Sequence, residues 1–148
     1  MTDEADSAER DAKVALVRAG IDASNRGDTD ALLGVLDPEV EFHIAPGLGN
    51  AGTYHRHDGF LEGMGGWLEA WDDFTIDSAE LETVGERHVV GDIRQSARGR
   101  GSGVEVEMRL GYMWEVRRGR AVRLHILPDR DAAVGAARSA ETGHSEPE

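Results

Sequence analysis

"VEVEMRLGYMWEV", Val104–Val116, alternates along its whole length. Val104, Val106, Met108, Leu110, Tyr112, Trp114 and Val116 share one side; Glu105, Glu107, Arg109 and Glu115 share the other. Successive side chains of an extended chain point to opposite faces, so this period predicts a strand with one face buried and one wet. "RGRGSG" before it and "RRGR" after it are turns, and "AVRLHIL", 121–127, is the next strand. Upstream, "FTIDSAELETV", 74–84, and "RHVVGDIRQSA", 87–97, are two more, separated near Gly85 and Glu86. In the second, Val89, Gly91 and Ile93 form the more apolar set, which leaves Asp92 and Arg94 together on the other face.

The N-terminal half reads differently. "DAKVALVRAGIDASNRG" carries Val14, Val17 and Ile21 at helical spacing, with Gly27 as a stop. Asp28 offers an N-cap for "TDALLGVL", and Pro38 is expected to end that short helix. "EVEFHIA" alternates Val40, Phe42 and Ile44 against Glu41 and His43, a half-buried strand. "PGLGNAG" reads as a loop. "GTYHRHDGFLEGMGGWLEAW", Gly52–Trp71, then reads as a third helix from about Gly59 to Trp71, capped by Asp58. Its glycines 63, 65 and 66 point to close packing or a break. "DRDAAVGAA" is a last short helix or a fraying end. Helices followed by hairpin-linked strands argue for an α+β fold, a curved antiparallel sheet wrapped around N-terminal helices. One domain over residues 12–138 is expected, with 1–11 and 139–148 as disordered acidic tails.

The chain has 148 residues, enough for a single core without staples, and no cysteine, which excludes disulfides and thiolate chemistry. Its formal charge is −13. An acidic surface repels phosphate backbones, so nucleic acid is not an expected partner. No apolar run approaches the roughly 20 residues of a membrane span. The acidic start "MTDEADSAERD" does not resemble a signal peptide, so a cytoplasmic protein with no membrane partner is expected.

This order of elements, with "NRGDTDALLGVLDPEVEFHIAP", "GTYHRHDGFLEGMGGWLEAW" and "RGRAVRLHILPDRDAAVGAA", resembles the SnoaL-like branch of the NTF2-like superfamily over residues 12–138. The resemblance implies a cone-shaped α+β barrel with a deep pocket between sheet and helices, and a homodimer formed through the sheet. It spans polyketide cyclases, ketosteroid isomerases, limonene epoxide hydrolases, dehydratases and non-catalytic modules, so the fold does not give the function. Two of those chemistries fit poorly. The first helix lacks the tyrosine of the isomerases, and the central strand offers Met108 or Leu110 where their acid stands. Asp92 and Arg94 suggest the epoxide hydrolase set, but in reversed order, and the final strand carries Arg123 and His125 in place of a second aspartate.

Asp92, Arg94 and His125 are therefore the candidate acid–base residues, an arginine holding an aspartate ionised for general-base work. The bland alternative for Asp92 and Arg94 is a surface ion pair. Trp67 and Trp71, four apart on one helix, would fill a core or wall a pocket. Phe42, Tyr54, Tyr112 and Trp114 join them as ligand-binding candidates, with a hydroxyl or indole N–H to orient an oxygenated ligand. His55, His57 and Asp58 would make a half-site for zinc if that stretch were extended, but no spacing completes a ligand set, so neither metal nor cofactor is expected. Two readings stay open: a cofactor-free acid–base enzyme on a small apolar substrate, and a ligand-binding or assembly module without catalysis.

Overall fold

The strand of Val104–Val116 lies inside a six-stranded sheet. The computed structural model describes residues 2–48, 51–69 and 71–144, and the side chains of 2–6, 66–68, 143 and 144 fall outside that description. The strands are β1 (Leu36–Ile44), β2 (Gly52–His55), β3 (Trp71–Val84), β4 (His88–Gly99), β5 (Glu105–Arg117) and β6 (Arg120–Leu127). Their order across the sheet is β2-β1-β6-β5-β4-β3. The sheet is curved and unclosed. β3 to β6 form the expected antiparallel meander. β1 departs from the expectation of a purely antiparallel sheet: it pairs parallel to β6, with Phe42 opposite Leu124 and His43 opposite His125.

Helices α1 (Thr2–Arg26), α2 (Thr29–Val35) and α3 (Arg56–Leu68) precede the meander, and α4 (Arg130–His144) follows it. The expected disordered segment before residue 12 is helical from Thr2. Gly27 at φ 72° ends α1. Its N–H bonds the Ser24 carbonyl and that of Asp28 bonds Ala23, the paired closure that a left-handed residue makes possible. Asp28 then caps α2 by accepting from the Ala31 N–H at 3.1 Å. Pro38 does not end α2: the helix stops at Val35, and Pro38 sits inside β1.

The Gly52–Trp71 stretch divides in three. Gly52–His55 is a strand that alternation over four residues is too short to reveal. α3 stops at Leu68, and Trp71 opens β3 opposite Gly99. Ladder pairing there outweighs a helical period weakened by three glycines. Trp67 and Trp71 therefore do not share a helix face, and the Trp67 side chain lies outside the described residues. The expectation of close packing holds at Gly63, where a Cβ would come within 3.0 Å of the rings of Phe42 and Tyr54. This lets α3 lie directly on β1 and β2.

The pleat sorts the core into two. The inner face buries Val40, Phe42, Val89, Ile93, Leu110, Trp114 and Leu124 against α1 and α3. On the outer face α4 lays Ala133 and Ala137 over Val90, Met113, Leu127 and Ala45. Edge strand β3 is fastened by α1: Asn25 donates to the Ile76 carbonyl at 3.0 Å and accepts from the Ile76 N–H at 2.9 Å. One side-chain amide thereby stands in for a neighbouring strand. α4 is fastened at its far end. Glu141 accepts from the backbone N–H of Arg87 at 2.8 Å and bonds Nδ1 of the fully buried His88 at 2.5 Å. That anchor explains why the helix continues past residue 138.

Asn25→Ala should leave the Ile76 N–H and C=O without their partner and cost about 1–3 kcal/mol. Urea unfolding checks this, and an unchanged midpoint would contradict it. Glu141 is a second test. Burial opposes its ionisation, but the bonds from His88 and from the Arg87 and Glu86 N–H groups outweigh burial and hold its carboxyl below the ordinary 4.5. Its folded-state pKa is depressed, so its stabilisation is complete above the ordinary value and is lost as the pH falls through the lower one. The urea midpoints of the parent and Glu141→Gln should differ at pH 7 and converge as the pH falls toward 3. A gap that does not depend on pH would refute the charge-assisted anchor.

Candidate functional site

Where α1, α2 and α3 cross the inner face they leave a cavity of about 60 Å³. Val17 and Ile21 of α1, Leu36 of β1, Phe60 and Met64 of α3, and Trp114 of β5 are among its walls. The hydroxyls come from Ser24 and Tyr112; among the described residues no wall carries a carboxylate, an imidazole or a cation. The volume is far below the roughly 300–1,000 Å³ of drug-sized sites. At about 10–15 Å³ per water it has room for a molecule of a few heavy atoms.

Tyr112 and Trp114 point into this space because they share the apolar parity of β5. Their ring centroids are 5.5 Å apart. The Tyr112 hydroxyl donates to Gln95 Oε1 at 2.7 Å, and Gln95 is 2% exposed. Burial raises the Tyr112 pKa, so the phenol is neutral and a hydrogen-bond donor across the physiological range. Gln95 escaped the sequence reading. The signal was present: it continues the Val89, Gly91, Ile93 parity and is the polar member of an apolar face.

Of the other ligand candidates, Phe42 is fully buried behind the cavity, its ring 5.0 Å from Phe60 and 6.1 Å from Tyr54. Trp71 is half-buried at the start of β3. Neither these two nor Tyr54 lines the cavity.

Asp92, Arg94 and His125 lie on the outer face, across the sheet from the cavity. Asp92 is in register with Glu80 and Gly111, Arg94 with Ser78 and Arg109, and His125 with His43 and Met113. The partner of Asp92 is Arg109 and not Arg94: Nε donates at 3.0 Å and Nη2 at 2.7 Å, a two-pronged bond. That bond leads in lowering the Asp92 pKa, against burial. His125 meets His43 edge to face at 4.6 Å. Burial, then the neighbouring His43 and Arg123, lowers its pKa to about 4. The acid–base trio is thus divided, with no shared point at which all three meet the cavity. Nor do His55 and His57 project together. His55 ends β2, and His57 in the first turn of α3 bonds the Leu36 carbonyl at 3.1 Å. Among the described residues no three histidines or carboxylates are placed to hold a metal, and no helix is long and apolar enough to cross a membrane.

A curved sheet closing on three helices over an apolar cavity defines an NTF2-like protein. The sequence matches the model of the SnoaL-like domain over residues 17–124, and the chain belongs to that family. Solved structures agree. TerC, co-crystallised with polyporic acid, is 19% identical with a TM-score of 0.72, over 86% of this chain and 98% of that one. An NTF2-like protein from Burkholderia pseudomallei K96243 is 20% identical at 0.72, over 84% and 95%. One from Burkholderia thailandensis E264 is 27% identical at 0.66, also over 84% and 95%. No curated protein matches the sequence.

The geometry makes His125 a neutral imidazole at pH 7. A ring-resonance NMR titration should give an apparent pKa of about 4. A midpoint at or above the ordinary 6.5 would show that the ring is not held in a poorly solvated place.

Proposed function

We propose that this SnoaL-like protein binds a small, uncharged, largely apolar molecule in the cavity between α1, α2, α3 and the sheet, and performs no acid–base catalysis there. The observation that carries the reading is the chemistry of the walls: aliphatic and aromatic groups with two hydroxyls, and no titratable carboxylate or imidazole among the described residues. General acid–base catalysis needs a group that exchanges a proton near the working pH within hydrogen-bond reach of the substrate. The neutral Tyr112 does not meet that need. That TerC, which shares the fold, was crystallised with polyporic acid supports a small-molecule role for this architecture. Met64 lines the cavity, and its flexible thioether chain can repack around a larger occupant. The homodimer belongs to the same proposal, with the polar sheet face of Glu105, Glu107 and Arg109 as the surface between copies.

Cyclohexane and benzene, each larger than about 60 Å³ holds unaltered, are probes that also test whether the cavity walls give way. Either should quench or shift tryptophan emission through Trp114 and raise the Tm. Gly20→Ala supplies the control. Gly20 lines the cavity, and a Cβ there meets Val35 at 3.5 Å, ordinary contact distance. Replacing a helical glycine gains up to about 1 kcal/mol. The variant should therefore melt a few degrees higher without ligand and bind the probes more weakly. Probe binding that Gly20→Ala leaves unaltered would place the site elsewhere.

A further inference from the structure

Four neighbouring strands bring a row of donors together on the outer face. Thr53 of β2, His43 of β1, His125 of β6 and Met113 of β5 are successive partners across the ladder, so their side chains stand side by side. The two imidazoles meet edge to face, with 4.6 Å between ring centroids. Bonds of about 2.0–2.1 Å from one ion to a nitrogen of each ring would set those centroids roughly 5 Å apart, so the rings need move little. His43 Nδ1 shares a hydrogen bond with Thr53 Oγ1. With Nδ1–H as the donor, Nε2 keeps its lone pair, which is how an outer partner fixes a ligating ring. His125 is different from His43, His57 and His88, each of which has a hydrogen bond. Among the described residues neither ring nitrogen of the half-buried His125 has a hydrogen-bond partner.

We propose that His43, His125 and Met113 form a binding site for monovalent copper, with Thr53 orienting the His43 ring. Imidazole and thioether are donors that suit this soft cation. Among the described residues no third imidazole or carboxylate completes a set with the two histidines. That disfavours zinc, whose structural sites take four ligands. Nor does the row carry a spare negative charge, since Glu41, the outward residue before His43, is held by Arg123 at 3.3 Å. A monovalent ion is therefore better matched here than a divalent one, whose larger charge would need more compensation. Met113 is 2% exposed, and its three rotatable bonds let the sulfur turn toward His125 within its pocket. The site lies across the sheet from the apolar cavity and does not rest on the cavity reading.

The test is an anaerobic titration of the full chain with Cu(I) against bicinchoninate, a coloured competing chelator, with the histidine ring resonances followed by NMR. The parent should bind a single ion per chain, and the ion should shift His43 and His125 ahead of His55, His57 and His88. His125→Gln should lower the affinity by more than the roughly 10–100-fold that an outer partner is worth, and Thr53→Val by about that amount. Met113→Leu conserves volume and should keep the fold; it should weaken Cu(I) by about tenfold and leave Zn(II) within about twofold. The exposed His55→Gln should bind Cu(I) as the parent does. Melting curves report whether each variant is folded, and the ring shifts in the parent decide the case where one is not. Absence of a one-to-one complex, or shifts centred on other histidines, overturns the proposal. Equal losses in His55→Gln and His125→Gln overturn it as well. So does a folded Met113→Leu that holds Cu(I) as tightly as the parent, because the thioether is then no ligand.

Discussion

The pleat of the sheet is the constraint on which the other features depend. Because β4 and β5 hold one register throughout, and β3 and β6 keep theirs on either side of bulges at Ile76–Ser78 and Glu115–Val116, the side chosen by one residue of β5 sets the side of what lies opposite it. Trp114 inward means Val89 and Leu124 inward; Met113 outward means Val90 and His125 outward. The result is an inner face whose buried side chains, among the described residues, are apolar apart from Tyr112 and Gln95, and an outer face that gathers Asp92, Arg94, Arg109 and His125. A one-residue slip would reverse every one of these assignments. The apolar stripes of α1 and α3 select the register that buries them, and the Asn25 clasp on Ile76 ties the edge strand to the same choice.

This sorting has a chemical consequence. Desolvating a carboxylate or an imidazole is costly, so such groups on the inner face would need partners that the cavity walls do not offer. On the outer face two of them have partners: Arg109 grips Asp92, and Glu141 pairs with His88. Shifted pKa values often mark functional sites. Here the shifts at Asp92 and Glu141 follow from structural pairs, and that at His125 from poor solvation. The perturbed residue that does border the cavity is Tyr112, and burial keeps its phenol protonated and neutral.

Long alternation is legible in a sequence and short alternation is not. β5, β4, β3 and β6 could be read because eight or more residues repeat a two-residue period, whereas four residues of β2 could not. The cap at Asp28 and the stop at Gly27 were legible because each rests on local chemistry. Trp71 was misplaced because its helical spacing from Trp67 competes with a strand partner, Gly99, that lies 28 residues away. The pairing of Asp92 with Arg109 over Arg94 has the same cause, since a diagonal neighbour on the next strand is set by the register of β4 against β5 and not by spacing within β4. Parity already placed Asp92 and Arg94 opposite the apolar set. What it could not show was which face the helices would cover.

The central claim is that the inner face encloses a dry apolar cavity bounded by Tyr112 and Trp114, while the titratable groups serve the outer surface. Diffraction from a crystal pressurised with xenon tests it most directly, because xenon enters apolar cavities and leaves polar ones to water. The account predicts a xenon atom in van der Waals contact with Trp114, Leu124 and Ile126. Ordered water in that space, or xenon absent there and present beside His125 and His43, would contradict it.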